Sequence, residues 1–158
     1  MKDFIGNIEI LKKNKTAFLC SQKIPSGAAL KCFDWAVEQR EAAHCIISGF
    51  HSQIEKDVLH YLLKGIQPII IVLARGLKQK IEPELIEPLN NGRLLIISPF
   101  PKTTKRVTTQ TALERNKMII ALADKITVGF MAKGGSLENL ISTNSFENIE
   151  FLLVAPNS

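Results

Sequence analysis

Six short runs of almost uninterrupted apolar residues punctuate the chain: Thr16–Cys20, His44–Ser48, Pro68–Ala74, Arg93–Ser98, Ile126–Met131 and Phe151–Ala155. None alternates apolar with polar positions, so none reads as a strand with one wet face. Continuous runs of this length fit strands buried on both sides, as in a parallel sheet covered by helices. Between the runs the period lengthens. Over Ser26–Ala42, Ala29, Leu30, Phe33, Ala36 and Val37 recur at helical spacing, and Ser26 is placed to cap the first free N–H groups. Ser52–Lys64 repeats the pattern through Ile54, Val58, Leu59 and Leu62, with Gly65 as its stop.

Further along, Pro83 suits the first turn of a short helix that Pro88, lacking an N–H, is expected to end. Asn90-Asn91-Gly92 then turns the chain into the next strand. Thr109–Asp124 carries the strongest helical pattern, in Leu113, Met118, Ile119, Ala121 and Leu122, and a last helix starts near Gly135-Ser136. Asp3–Leu11 reads as a short element on a sheet edge.

Strand-like runs alternating with helical stretches are the signature of βαβ units. The expected architecture is a three-layer α/β/α Rossmann-like sandwich around a mostly parallel five- or six-stranded sheet. Such sheets bind ligands outside the carboxyl ends of their strands, where the strand order reverses. The loops expected there are Ser21–Gly27, Ser48–Ser52, Ala74–Gly76, Ser98–Thr109 and Met131–Ser136, rich in Ser, Gly, Thr and Lys. Helices opening at Ser26-Gly27, Ser52 and Gly135-Ser136 would turn free N–H groups and a positive dipole end towards that crest, which suits phosphate.

With 158 residues the chain is expected to form one domain spanning 1–158. Its 46% apolar and 22% charged residues are those of a folded protein. The longest apolar run, Ile69 to Ala74, is far short of the roughly 20 residues that span a bilayer. The first residues carry no secretory pattern, so cytoplasm is the expected location and no membrane is expected as a partner. Cys20, Cys32 and Cys45 show no CxxC spacing, and His44, His51 and His60 no paired-ligand spacing. Neither a disulfide framework nor a metal site is expected, and no cofactor is implied. A net charge of +5 and a pI near 9.2 are compatible with a nucleic-acid or nucleotide partner without demanding one. Pro99–Thr109 is a polar, basic loop between a strand and a helix, where Lys102, Lys105 and Arg106 either steer a polyanion or keep the loop soluble.

Several segments together resemble the Rossmann core of the DNA-processing protein A (DprA, or Smf) family within the wider SLOG superfamily. IISGF from Ile46 resembles the family's SGLARGID turn, and IIIVLARGL over Ile69–Leu77 resembles its IAVLGxGLD. LIISPFP over Leu95–Pro101 is similar to its LLSEYPP. The most specific piece is Glu114–Leu140, with an Arg-Asn pair opening a helix, a strand after it and a Gly-Ser-Leu turn. The resemblance implies a domain that binds single-stranded nucleic acid or a nucleotide in the crest and that self-associates, here as a homodimer. It places the nucleotide- or phosphate-binding residues at Ser21, Lys23, Ser48, Gly49, Arg115, Asn116, Gly134, Gly135 and Ser136, with no catalytic residue.

The sequence departs from the family where its first turn reads Gly-Ser-Arg. Here Cys20-Ser21-Gln22 stands instead, with Lys23 adjacent. One phosphate-binding arginine is thus missing. A phosphoribohydrolase-like enzyme acting on a nucleoside monophosphate is the alternative, but Lys133-Gly134-Gly135-Ser136-Leu137 lacks the proline and the Gly-Thr of that turn. A non-catalytic scaffold with a degenerate pocket is the third. Each candidate also has a structural role open to it. Arg115 either forks onto phosphate or neutralises strand-end carbonyls, Gly134–Ser136 either cradles phosphate or only turns the chain, and Glu138 either works as an acid-base or favours the helix dipole. Cys20 and His51 stand at strand ends as a nucleophile pair without an orienting third residue. Trp35 and Tyr61 are read as packing residues.

Overall fold

The computed structural model describes residues 1–153. The expected class is the one found, an α/β sandwich with helices on both faces of a mostly parallel sheet. The strands are β1 (Asp3–Gly6), β2 (Lys15–Leu19), β3 (Cys45–Ser48), β4 (Ile69–Val72), β5 (Leu94–Ser98), β6 (Lys125–Val128) and β7 (Ile149–Phe151). The helices are α1 (Ser26–Glu41), α2 (Gln53–Leu63), α3 (Pro83–Asn90), α4 (Thr109–Leu122) and α5 (Ser136–Ser142), with a 3-10 turn at Ile8–Lys12.

The spatial order is β1-β5-β4-β3-β2-β6-β7. β2 to β6 are parallel to one another, as is β7, while β1 runs antiparallel to β5 with Asp3 opposite Ser98. The sheet therefore has seven strands rather than five or six. The extra one is β1, formed from part of the segment expected as an edge element. Its partner β5 lies far along the chain, and its own exposed residues give little periodic signal.

Strand order explains the layers. From β2 to β5 each crossover steps the same way, so right-handed connections keep α1, α2 and α3 on one face. The step from β5 back past β2 to β6 reverses direction and sends α4 and α5 to the other. Two cores result. One packs Cys32, Trp35, Val58 and Leu85 against Phe18, Ile46 and Ile71, and the other packs Ile10, Ile119 and Leu137 against Ala17, Ile47 and Val128. Trp35 stacks on Phe18 at 5.1 Å and Tyr61 meets Phe33 at 5.2 Å, the packing roles expected of them.

Three local expectations are corrected. Ser26 is the first helical residue and Pro25 the cap, with no side-chain cap bond, because proline's fixed φ already sets the entry. Pro88 lies buried inside α3 rather than ending it. In a helix this short the ring costs about one backbone bond, and its burial among apolar neighbours offsets that. The last strand is Ile149–Phe151 instead of Phe151–Ala155, and Val154 and Ala155 lie outside the described residues. By contrast, Ser52 caps α2 in a full capping box with Glu55, and Gly92 at φ 74° makes the turn into β5.

Candidate nucleic-acid interface

The crest is built where β2 ends and the chain leaves in opposite directions on its two sides. Ser21 N–H donates to Phe130 O at 2.8 Å, and Ser21 Oγ accepts from Ala132 N–H at 2.9 Å. The loops after β2 and β6 are thereby tied together. Lys23 and the α1 entry at Ser26-Gly27 are exposed beside them.

Next to β2, the end of β3 is drawn tight. Ser48 is fully buried, and its hydroxyl donates to Phe18 O at 2.9 Å and accepts from Phe50 N–H at 3.4 Å. It shapes the turn rather than facing solvent. Phe50 sits in the left-handed region at φ 48°, a conformation costly for a bulky residue and one that surrounding structure must hold. Nothing in the sequence singled out Phe50.

Over Gly49 lies Arg115, the seventh residue of α4, so the Arg-Asn pair stands in the middle of the helix instead of opening it, because the helix already starts at Thr109 under its Thr108 cap. An added Cβ at Gly49 would stand 2.6 Å from Arg115 Cζ, so the guanidinium rests against the bare Cα. Arg115 is only 6% exposed. Its Nε donates to Asn116 Oδ1 at 2.9 Å, and no carboxylate pairs with it among the described residues. The nearby buried Glu55 accepts instead from the N–H groups of His51 and Ser52, each at 3.0 Å. Burial lowers the Arg115 pKa, with the Glu55 charge opposing the shift. His51 is likewise held below its ordinary value, by burial first and then by the fields of Arg115, Lys56 and Lys78. A buried cation without a counter-ion is costly unless something else answers it, and the charge-assisted bonds of an anion would do so.

The Gly134–Ser136 turn at the far side of the crest is partly spoken for. Gly134 N–H donates to Glu138 Oε1 at 3.0 Å, and Gly135 N–H to Ala132 O at 3.2 Å. Glu138 thus braces its own turn. No hydrogen bond joins Arg115 to this turn among the described residues, so the structure pairs Arg115 with Gly49 instead of with Gly134–Ser136.

The basic loop after β5 is pinned rather than free. Gly76 N–H donates to Thr104 O at 2.8 Å, and Ser98 Oγ donates to Arg75 O at 2.6 Å. Lys102 approaches Asp3 at 3.8 Å, while Lys105 and Arg106 are exposed. Cys20 turns towards Cys32 and not His51: both sulfurs flank Gly129, and the two thiols share one proton system that pushes Cys20 strongly up, first through its hydrogen bond to Cys32 and then through burial. Among the described residues no cluster of three potential metal ligands exists, and no helix is long and apolar enough to cross a membrane.

Fold and crest together define a Rossmann-type α/β domain whose strand ends present a buried, unpaired arginine beside serine- and glycine-rich turns. Residues 4–150 match the family model of DNA recombination-mediator protein A, and the chain belongs to that family. Two solved structures are similar to it. DNA processing protein A from Helicobacter pylori, described for its single-stranded DNA binding, is 22% identical with a TM-score of 0.67 over 85% of this chain and 62% of that one. DNA processing protein A from Streptococcus pneumoniae is 20% identical with a TM-score of 0.62 over 79% of this chain and 44% of that one. The chain thus spans less than two thirds of either protein, and at these identities the likeness speaks for the fold. Among curated proteins none matches the sequence.

Proposed function

We propose that this domain binds single-stranded DNA, or a nucleotide-derived ligand, along the crest of its sheet, in DNA processing. The observation that carries the reading is the Arg115 guanidinium, 6% exposed and without a carboxylate partner, held against Gly49 by Asn116. Family membership and the single-stranded DNA binding of the H. pylori protein support it.

In this reading Arg115 forks onto a phosphate. Ser21, Lys23, Asn116 and the Gly134–Ser136 turn complete the site, and Ser48 and Gly49 shape it. Lys23 follows β2, Arg115 lies over β3, and Lys105 and Arg106 follow β5. With β4 between β3 and β5, those strands span three spacings, or about 14 Å from first to last. Cations strung over that distance suit a running backbone better than a single nucleotide. The phosphoribohydrolase alternative would need a free carboxylate at the turn, where Glu138 is already bonded to Gly134. The reading also takes residues 1–158 as one domain that acts in the cytoplasm as a homodimer, which light scattering at several concentrations checks.

The test is a fluorescent oligonucleotide titrated across a salt series. With few fixed cations, the logarithm of affinity should fall against log salt with a slope of about −2 to −3, at about −0.7 per contact, and Kd at physiological salt should be micromolar or weaker. Replacing Lys102, Lys105 and Arg106 together should flatten the slope, and Arg115→Ala should weaken oligonucleotide binding about tenfold and abolish any stabilisation by a mononucleotide. Absence of binding to DNA or nucleotide at any salt would hand the case to the scaffold reading.

A further inference from the structure

On the face that carries α1, α2 and α3, the helical layer is incomplete. α2 lies against α1, and α3 rests on β5. Between α2 and α3 a cavity of about 530 Å³ opens beside the carboxyl ends of β3 and β4. Ile71 and Ile96 form its floor, and Leu59, Leu63, Leu77 and Leu85 its walls. Protein interiors fill to crystal-like density, and small-molecule sites fall in the range of roughly 300–1,000 Å³ with mostly apolar walls. These floor and wall residues offer no hydrogen-bonding side chain, and the polar side chains of the lining, His60 among them, are all exposed ones at the rim. A base or sugar placed there would lose its polar partners, whereas an aliphatic or simple aromatic body would lose nothing.

The mouth is different. Lys56, Lys78 and Lys80 stand around it with His51, Glu82 and Glu84. Lys78 is paired with Glu82 at 3.1 Å, but Lys56 and Lys80 meet no carboxylate within 4.0 Å among the described residues. At His51 the fields of Arg115 and Lys56 each outweigh the opposing field of Glu55, so that corner of the mouth is positive. An apolar body below and an anion above is the ligand that such a shape and charge distribution complement.

We propose that this cavity binds a small amphipathic anion, its apolar body against Ile71 and Ile96 and its carboxylate or phosphate at the mouth near Lys56, Lys80 and His51. The cavity adjoins the crest at Gly49, but its apolar floor and its lysines belong to other residues than those proposed for strand binding, and the proposal does not rest on that reading.

Two probes that share a body and differ in the head separate its parts: decanoate and decanol, titrated into the full chain and followed by amide chemical shifts. Decanoate should shift amides of α2, the segment after β4 and Gly49–His51, and bind about tenfold more tightly than decanol. Lys56→Glu with Lys80→Glu should remove that advantage and leave decanol unchanged. Leu59→Trp fills the cavity and should abolish both, with Leu63→Trp as the second filling variant if the first does not fold. Equal affinities for the two probes overturn the anionic class, and shifts that survive both filling variants overturn the location. No shift with either probe overturns the site outright. An oligonucleotide titration on the same samples keeps the two readings distinct: loss of DNA binding with decanoate binding intact defeats only the crest reading, and the reverse defeats only this one.

Discussion

Arg115 and Gly49 occupy a single place. The guanidinium of one lies where the side chain of any other residue at position 49 would begin, with Cζ 2.6 Å from an added Cβ. Gly49→Ala is therefore expected to push the arginine aside without breaking the fold, since the far end of a long side chain moves easily. Oligonucleotide affinity should fall about tenfold, the worth of one charge-assisted contact, while stability changes by less than about 1 kcal/mol. Fluorescence titration beside a denaturant melt checks both halves.

A buried guanidinium with no counter-ion weighs on the unliganded fold. Arg115→Met keeps the apolar stem and removes the charge, so the free protein should gain about 1–2 kcal/mol in urea unfolding while its affinity for DNA falls about tenfold. The same variant should let the His51 titration, followed by NMR, rise towards its ordinary value, because one of the cations pressing on it is gone. A less stable Arg115→Met protein would mean that the arginine is needed for the fold itself.

At the opposite end of the sheet, Asp124 Oδ2 accepts from Lys15 N–H at 2.8 Å and approaches Lys15 Nζ at 3.5 Å. The backbone bond first, with the Lys15 charge helping, holds the Asp124 carboxyl below its ordinary value. A depressed carboxylate pKa adds stability above the unfolded-state value, and that stability is lost as pH falls through the folded one. Asp124→Asn should thus cost about 1 kcal/mol near neutral pH, discounted for the half-exposed side chain, and nothing in strong acid. Urea melts at both pH values decide it.

Gly129 has no room for a methyl group. A Cβ there would stand 2.7 Å from Cys32 Sγ and 3.1 Å from Cys20 Sγ. Gly129→Ala should destabilise by about 1–3 kcal/mol through overpacking, and Cys32→Ala in the same chain should recover part of it. Additive losses in the double mutant would show that the sulfurs are not the obstacle.

Much of the sheet was legible because β2 to β5 are buried on both faces, and such strands announce themselves as unbroken apolar runs. β1 was legible only as an element on a sheet edge, not as a strand, since three of its four residues are exposed and its pairing with β5 is a tertiary fact. At the site, the Arg115-Asn116 pair was readable from its motif, as was the Gly134–Ser136 turn. The bond from Gly134 to Glu138, the burial of the Ser48 hydroxyl and the left-handed Phe50 depend on how turns close in space, and single residue types do not encode that. The cavity between α2 and α3 is harder still. It arises from two helices that fail to meet, and no residue marks a missing contact.

The antiparallel edge strand imposes an order of events on the newborn chain. β1 emerges from the ribosome early, yet its partner register, Asp3 opposite Ser98, does not exist until Ser98 has been made. At translation speeds of about 5–20 residues per second, that leaves the first strand waiting roughly 5–19 seconds. Until β1 pairs with it, β5, a Leu-Leu-Ile-Ile-Ser segment, has no neighbour on its outer side. Phe4 and Ile5 then arrive to cover a row of backbone groups that would otherwise recruit another molecule's strand. A strand made long before its partner thus serves as the guard of that edge against aggregation.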